Sequence, residues 1–189
     1  MDFEATPIGG LFVAQRNSSA DTRGIFSRLY AAEDFSAIGR PMPAVHVNAS
    51  TSTATGTLRG IHFQYPPRAE AKIVACVSGL VWDVAVDLRP NSVTQFKWFG
   101  IELSAANGRS LVVPEGFGHA FVTLEPNSTV VYVSSEIYSP GKESGVRFDD
   151  PLVAIDWPLK PVVVSEKDSS WPLLESRIDE HNARWNLAS

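Results

Sequence analysis

Cysteine is almost absent from this sequence: among 189 residues only Cys76 carries a thiol. A single thiol forms no internal disulfide, and it cannot supply the ligands of a zinc ribbon. Apolar stretches also fall short of the ~20 residues that span a bilayer. The opening segment 1–4 contains two acids and no base, so it lacks the basic region of a signal peptide. We therefore expect a soluble, cytoplasmic protein that does not bind membranes.

Positive charge is in short supply as well. Sixteen Lys and Arg face 21 Asp and Glu, which gives a net charge of −5, so broad electrostatic capture of nucleic acid is not expected. This balance still permits a small arginine-lined pocket for an anion. Apolar residues make up 44% of the chain, which excludes a disordered protein and suffices for one core without metals or disulfides.

The residues that are present form short β-branched runs between frequent turn signals. Thirteen glycines and thirteen prolines punctuate the chain, a spacing typical of antiparallel sandwiches and barrels. We predict strands at 56–64, 72–77, 80–88, 96–103, 110–113, 120–124 and 129–135, and short helices at 31–38 and 173–185. No repeat or linker interrupts the chain, so we predict one domain over 1–189, with a C-terminal helix or tail from about residue 170.

The strand at 80–88 alternates in character. Trp82, Val84 and Val86 share one face because residues two apart in a strand point the same way. Asp83 and Asp87 share the other face. The alternation predicts a half-buried strand whose carboxylates lie on the face nearer to solvent.

Histidine is also scarce, and two of the four histidines stand in distinctive segments: His62 within 56–64 and His119 within 113–121. A lone histidine in a strand is often a structural core residue. However, Arg59 and Lys72 would bring two fixed cations close to His62. Buried cations need an anionic partner, which Asp83, Asp87 or a phosphorylated ligand could supply.

A metal site is the competing interpretation of these histidines. Zinc and iron sites in β-barrels use two or more histidines with a carboxylate, often as a His-x-His pair on one strand. Neither His62 nor His119 has such a companion in sequence. We therefore do not expect a metal-dependent cupin.

Taken together, an ordered series of segments resembles the dTDP-4-dehydrorhamnose 3,5-epimerase family. The matching segments are 21–24 (DTRG), 58–64 (LRGIHFQ), 72–79 (KIVACVSG), 83–89 (DVAVDLR), 114–119 (PEGFGH), 149–151 (DDP), 157–158 (WP) and 165–168 (SEKD), with Tyr132 and Tyr138 between them. The resemblance extends over about residues 8–172. It implies a mostly β, cupin-type antiparallel jelly roll with a few short helices. It also implies a homodimer with no metal and no cofactor, acting on a nucleotide-linked 4-keto-6-deoxyhexose.

The resemblance also implies roles for four residues. His62 would be the base that removes a proton beside the ketone, and Asp168 would orient it, although Asp168 alone would pass for a surface turn carboxylate. Lys72 would hold the developing enolate oxygen. Tyr132 would return a proton on the opposite face and so invert the carbon.

Further residues are implied to bind substrate. They are Arg23, Arg59 and His119 around the diphosphate and sugar, with Tyr138, Glu143, His46 and Arg28; Asp83 is a less certain member of the polar network. Arg59 and His62 are three residues apart, so a regular strand would aim them to opposite faces. We predict that a bulge or bend at Gly60 brings both to one side.

Base recognition is where the sequence departs from the family pattern. Three positions usually hold a phenylalanine shortly before the Asp-x-Arg-Gly segment, a glutamate shortly after it, and a glutamine just before an Asn-x-Ser stretch. Here they hold Ser19, Arg28 and His46. Either neighbouring residues compensate, or thymine recognition is weakened and another base or a modified sugar is preferred.

Two alternatives to the double epimerase stay open. A family member that inverts only C3 needs the same base, enolate stabiliser and acid, so the motifs do not separate the two. A non-catalytic cupin that binds a nucleotide sugar would be expected to have lost His62, Lys72 or Tyr132, and none is lost.

Overall fold

Thirteen short strands dominate the computed structural model, which describes residues 1–186. The strands are β1 Asp2–Ala5, β2 Phe12–Gln15, β3 Ser18–Asp21, β4 Gly24–Ser27, β5 His46–Ser52, β6 Leu58–Gln64, β7 Lys72–Ser78, β8 Leu80–Asp87, β9 Trp98–Ser104, β10 Arg109–Val113, β11 Phe117–Thr123, β12 Ser128–Ser134 and β13 Glu143–Gly145. The helices are α1 Ala32–Ala37, α2 Glu166–Ser169, a 3₁₀ turn Leu174–Arg177, and α3 Ile178–Asn186.

Two antiparallel sheets form the body of the fold. One has six strands in the order β1-β2-β10-β7-β12-β5, the other five in the order β13-β6-β11-β8-β9, and β3 and β4 form a separate hairpin. Apart from β1–β2 and β8–β9, neighbouring strands in each sheet are not consecutive in the chain, as in a jelly roll. The predicted cupin-type jelly roll is therefore confirmed.

The inner faces of the two sheets change character along the strands. Val74 of β7 and Val130 of β12 pack in the core between the sheets with Phe121 of β11. Lys72 lies two residues before Val74 in β7, and Tyr132 lies two residues after Val130 in β12. Both therefore point to the same inner face as these valines. The sandwich is therefore dry and apolar at one end and opens into a polar cavity at the other.

The C-terminal segment covers the outer face of the five-stranded sheet. Leu174 and Trp185 pack against apolar side chains of β6 and β8. Buried His181 donates from Nε2 to the carbonyl of Leu88 at 2.8 Å and accepts at Nδ1 from the hydroxyl of Tyr65 at 2.9 Å. Burial lowers the pKa of His181, so the neutral ring holds the C-terminal helix in place.

The strands predicted from sequence are all present, with ends shifted by at most three residues. The predicted helices are confirmed, the C-terminal one as a 3₁₀ turn followed by α3. Strands β1 to β4 and β13 and helix α2 were not predicted, because each has only three or four residues. Strand β5 was not predicted either, because its seven residues are mostly polar or small. The single-domain prediction includes 187–189, which lie outside the described residues.

The prediction for the carboxylates of β8 was wrong. Asp83 and Asp87 are fully buried, not near solvent. Strand β8 lies between β11 and β9, one of its faces lies against the other sheet, and its other face packs against the C-terminal segment. Arg89 donates to both oxygens of Asp87 at 2.8 and 2.7 Å, so the burial of Asp87 is compensated by charge-assisted hydrogen bonds.

Within residues 1–186, no helix is long and apolar enough to cross a bilayer.

Candidate active site

A cavity of about 490 Å³ opens between the two sheets. The five-stranded sheet contributes Arg59 and His62 of β6 and His119 of β11, and the six-stranded sheet contributes Lys72 and Tyr132. The segment that contains α2 closes another side with Ser165, Lys167 and Asp168. Candidate base, acid and cations from distant parts of the chain thus surround one space.

A bulge in β6 turns both Arg59 and His62 toward this cavity. His62 pairs with His119 and Arg59 with Phe121, so three residue steps in β6 oppose two in β11. The bulge centres on Gly60, whose φ of 128° is a conformation that favours glycine. A Cβ there would lie 2.4 Å from the Cβ of Ala120. The predicted bulge is confirmed, and only glycine fits it.

His62 and Asp168 form a dyad at the rim. The Nε2 atom of His62 donates to Oδ1 of Asp168 at 2.6 Å, and the backbone N–H of Gly60 donates to Oδ2 at 3.2 Å. Asp168 is 3% exposed, unlike the surface turn carboxylate that its local sequence alone suggests. Burial opposes ionisation of Asp168, but these hydrogen bonds and that with Ser165 outweigh burial and lower its pKa.

The segment before α2 fixes where Asp168 lies. Ser165 caps the short helix by accepting a hydrogen bond from the N–H of Asp168 at 3.1 Å. Just before the cap, the carbonyl of Val163 accepts from the N–H of Leu58 at 2.9 Å. Because Leu58 begins β6, the same strand anchors both members of the dyad.

His119 forms a second pair behind the cavity. Its Nε2 atom lies 2.8 and 3.0 Å from the two carboxylate oxygens of Asp83. Burial raises the pKa of Asp83, and the nearby charges of His119 and Lys72 offset part of that rise. The pair orients the imidazole of His119 toward the cavity that it lines.

Lys72 and Tyr132 face the dyad from the opposite sheet. The ammonium of Lys72 lies 2.9 Å from Oε1 of Glu70, a carboxylate that the sequence analysis missed. The sequence could have indicated Glu70 by its spacing from Lys72, because residues two apart in an extended segment point to the same side. Burial raises the pKa of Tyr132, as does the charge of Glu70, while Arg59 lowers it, so the phenol is protonated at neutral pH.

A smaller adjoining cavity of about 170 Å³ contains other predicted binding residues. His46, Tyr138 and Glu143 line it, together with His62, Lys72 and Tyr132. The hydroxyl of Tyr138 donates to Oε2 of Glu143 at 2.8 Å, and the ammonium of Lys167 donates to Oε1 at 2.6 Å. Burial opposes ionisation of Glu143, but these two donors and His62 lower its pKa. Lys167 was a second residue that the sequence analysis did not single out.

The structure does not bring Arg23 and Arg28 to the His62 cavity within residues 1–186. Arg23 lies in the β3–β4 hairpin with its side chain 88% exposed, paired with Asp21 at 2.5 Å. Arg28 follows β4 and lies 3.5 Å from Glu33. Arg28 and Ser19 instead border a separate surface depression.

Metal binding was tested on the same geometry. In the described part of the chain, no group of three or more His, Cys, Asp and Glu side chains is placed to hold an ion. His62 and His119 are each engaged by one carboxylate on a different element. A tetrahedral or octahedral site needs more converging donors than either pair supplies.

Comparison with known proteins gives consistent results. The family model of dTDP-4-dehydrorhamnose 3,5-epimerase matches residues 5–176. A protein of Sinorhizobium fredii with that name is 39% identical over 175 residues, which cover 92% of this chain and 90% of that protein. A dTDP-4-dehydrorhamnose 3-epimerase of Streptomyces niveus is 40% identical over 176 residues, 92% of this chain and 84% of that protein.

A solved structure shows the same likeness in three dimensions. The epimerase of Legionella pneumophila, crystallised with dTDP-4-keto-L-rhamnose, superposes with a TM-score of 0.89. It is 34% identical in sequence, and the match covers 95% of this chain and 96% of that one.

Proposed function

This chain belongs to the dTDP-4-dehydrorhamnose 3,5-epimerase family, and we propose that it epimerises a nucleotide-linked 4-keto-6-deoxyhexose at C3 and C5 without a cofactor. One observation carries this proposal. A histidine–aspartate dyad and a protonated tyrosine reach one cavity from opposite sheets, with a lysine beside the tyrosine. This arrangement suits inversion at carbon, because a proton can leave one face of the sugar and another can be delivered to the opposite face.

In the first step His62 takes the proton from the carbon next to the ketone. Because Nε2–H is donated to Asp168, Nδ1 is the basic nitrogen. The electron pair of the C–H bond moves into the ring, and the C4 carbonyl becomes an enolate. The ammonium of Lys72 stabilises the charge that develops on the enolate oxygen.

In the second step Tyr132 delivers its hydroxyl proton to the opposite face of that carbon. The enolate collapses to the ketone and the centre is inverted. His62 is then protonated and Tyr132 is a phenolate, so a proton passes from one to the other through solvent before the next step. Two such cycles, at C3 and C5, complete the proposed reaction.

The remaining residues of both cavities are proposed to bind the substrate. Arg59 supplies donors for the diphosphate, and His119 lines the same cavity, where it would contact the diphosphate and the sugar. His46, Tyr138 and Glu143 line the smaller cavity beside the reacting groups. An exposed aromatic ring at Tyr138 offers a surface on which a base can stack.

A second copy of the chain is proposed as the partner. The β3–β4 hairpin exposes Ile25 and Phe26, at 77% and 69%, and the edge strand β5 exposes Val47. Apolar side chains exposed to this degree favour burial in an interface. The hairpin also contains Arg23, a predicted substrate ligand that lies outside the cavity of its own chain. A monomeric mass in analytical ultracentrifugation at micromolar concentration would contradict the dimer.

The activity is tested with a purified dTDP-4-keto-6-deoxyglucose in deuterated water. We expect deuterium at C3 and C5. In a parallel reaction in H₂O, followed by reduction of the 4-ketone, the proton couplings of the product should show inversion at both positions. Inversion at C3 alone would identify a mono-epimerase, as the Streptomyces niveus relative is named. Binding of the sugar without exchange at any carbon would favour the non-catalytic alternative.

We expect this turnover to survive exhaustive chelation. The predicted base and His119 are both held by carboxylates rather than grouped as ligands, and the proposed steps use only side-chain protons. The assay is repeated after dialysis against a chelator, with metal content measured in parallel. Loss of activity that added metal restores would overturn the cofactor-independent mechanism.

Base selection is tested separately. Ser19 and Arg28 border one surface depression, while His46 lines the smaller cavity, and an unpaired polar group of a buried base would cost ~1–3 kcal/mol. If thymine contacts are weakened, kcat/KM should favour another base among dTDP-, UDP-, GDP- and CDP-linked 4-keto sugars, by about one to two orders of magnitude. A clear preference for dTDP would mean that neighbouring residues compensate.

A further inference from the structure

Glu70 is a carboxylate at the cavities that the reaction described above does not use. It lies in the loop between β6 and β7 and lines the smaller cavity beside Lys72 and Tyr132. Its Oε1 atom is 2.9 Å from the ammonium of Lys72. Its Oε2 atom accepts a hydrogen bond from the hydroxyl of buried Ser134 at 2.6 Å. Both oxygens are therefore committed to residues of the six-stranded sheet.

The backbone around Glu70 is tied to the same sheet. The N–H of Ala71 donates to Oγ of Ser135 at 2.8 Å, and the N–H of Ser135 donates to the carbonyl of Ala71 at 3.0 Å. This reciprocal pair locks the residue after Glu70 to the end of β12. The side chain of Glu70 is 15% exposed, so solvent screens its charge much less than that of a surface residue.

We propose that Glu70 is a positioning residue, which fixes the ammonium of Lys72 against the cavity wall and places a constant negative charge beside Tyr132. This inference rests on the proposed function and assigns a role to a residue outside the steps given above. Glu70 need not contact the substrate, because it acts through Lys72 and Tyr132.

Glu70 acts on Lys72 by restricting the conformations of its side chain. A lysine side chain has four rotatable bonds and loses considerable conformational entropy when it is held in one place. The bond to Glu70 fixes the ammonium before substrate binds, so the donor for the enolate oxygen is already in position. Without that anchor, kcat is expected to fall about tenfold while KM changes little.

The effect on Tyr132 is electrostatic. A negative charge disfavours the phenolate, so Glu70 raises the pKa of Tyr132 and keeps the hydroxyl as a proton donor to higher pH. The other titratable or charged groups that line the cavities with Tyr132 are His46, Arg59, His62, Lys72, His119, Tyr138, Glu143, Lys167 and Asp168. Changing Glu70 alone leaves the charges of these groups in the cavities and releases only the ammonium of Lys72. A positive charge that Glu70 no longer neutralises also favours the phenolate, so the alkaline limit of inversion should move to lower pH.

The test is Glu70→Gln, which keeps the shape and one acceptor oxygen but removes the charge. Tyrosines are labelled with ¹³C at Cζ; the chain has only four, and Tyr132→Phe assigns the signal. We expect the titration midpoint of Tyr132 to fall in the unliganded Glu70→Gln protein. We also expect the alkaline limb of kcat for epimerisation to move the same way, with kcat about tenfold lower.

The matched control is Glu136→Gln. Glu136 is another carboxylate close to the end of β12, but it pairs with Arg68 at 3.1 Å on the surface. This variant should leave both the Tyr132 titration and the pH profile unchanged. An unmoved Tyr132 midpoint in Glu70→Gln, or an equal shift in Glu136→Gln, would overturn the proposal. The NMR titration of Tyr132 needs no substrate. If the wild-type protein had no epimerase activity, the proposed function would be refuted, but the titration would still show whether Glu70 raises the pKa of Tyr132.

Discussion

Replacing His62 with alanine is expected to abolish solvent exchange at the carbons beside the ketone while the fold is retained. His62 is the proposed base, and losing a general base typically costs 10²–10⁴-fold or more. The side chain lies at the cavity rim, about one-third exposed, so its removal should leave no buried cavity to destabilise the sandwich. Exchange is followed by NMR in deuterated water, and folding by circular dichroism.

Two companion measurements separate loss of the base from indirect damage. Added imidazole should partly restore exchange in His62→Ala, because a small base can enter the space that the side chain leaves. Asp168→Asn should lower exchange as well, since it removes the carboxylate that fixes the tautomer of His62. Glu166→Gln, an exposed carboxylate on the same short helix, is the matched control and should have no effect. Near-normal exchange in a folded His62→Ala protein would contradict the assignment.

Changing Tyr132 to phenylalanine should separate deprotonation from inversion. The variant keeps His62 on one sheet, with Asp168 of α2 beside it, and loses the hydroxyl on the other sheet. His62 can still remove a proton and return deuterium to the same face, so exchange should persist. Formation of the inverted product should fall by about 10²-fold or more, because the far-face donor is missing. Both rates are read from one NMR time course.

Tyr138→Phe is the matched control for this experiment. Its hydroxyl bonds to Glu143 in the smaller cavity, six residues along the chain from Tyr132. Because Tyr138 is a proposed binding residue, the Tyr138→Phe variant should have a higher KM but the same ratio of exchange to inversion. If exchange and inversion fall together in Tyr132→Phe, or if neither changes, Tyr132 is not the proton donor.

Much of the fold follows from local pattern. The alternating run at 80–88 and the β-branched run at 72–77 predicted adjoining strands, and the structure has β8 and β7 there. Side-chain alternation is a property of the strand itself, so short segments reveal it without knowledge of their neighbours. The bulge at the glycine between Arg59 and His62 was also predicted, because the resemblance places both residues at the site and a regular strand would aim residues three apart to opposite faces.

The environment of each side chain was decided by segments far away in the chain. Alternation identifies two faces of β8 but not what covers them. Asp83 and Asp87 lie on the face of Val81 and Ala85, which the other sheet covers, and both carboxylates are fully buried. Residue 168 looks like a surface acid until the N–H of Gly60 and the imidazole of His62 surround it. The burial of a carboxylate and its protonation state depend on every residue packed around it, and most of those residues are distant in the sequence.

The sequence by itself therefore determined the strand pattern, the class of fold and, through family resemblance, the residues with candidate chemistry. The resemblance implied that Asp168 orients His62, and the structure brings the two together. Only the tertiary structure decided that His119 pairs with Asp83 and Lys72 with Glu70. Two of these pairs join segments 36 and 106 residues apart. A sequence pattern records the properties of each segment, whereas hydrogen bonds, desolvation and proton affinities depend on the distances that folding creates between segments.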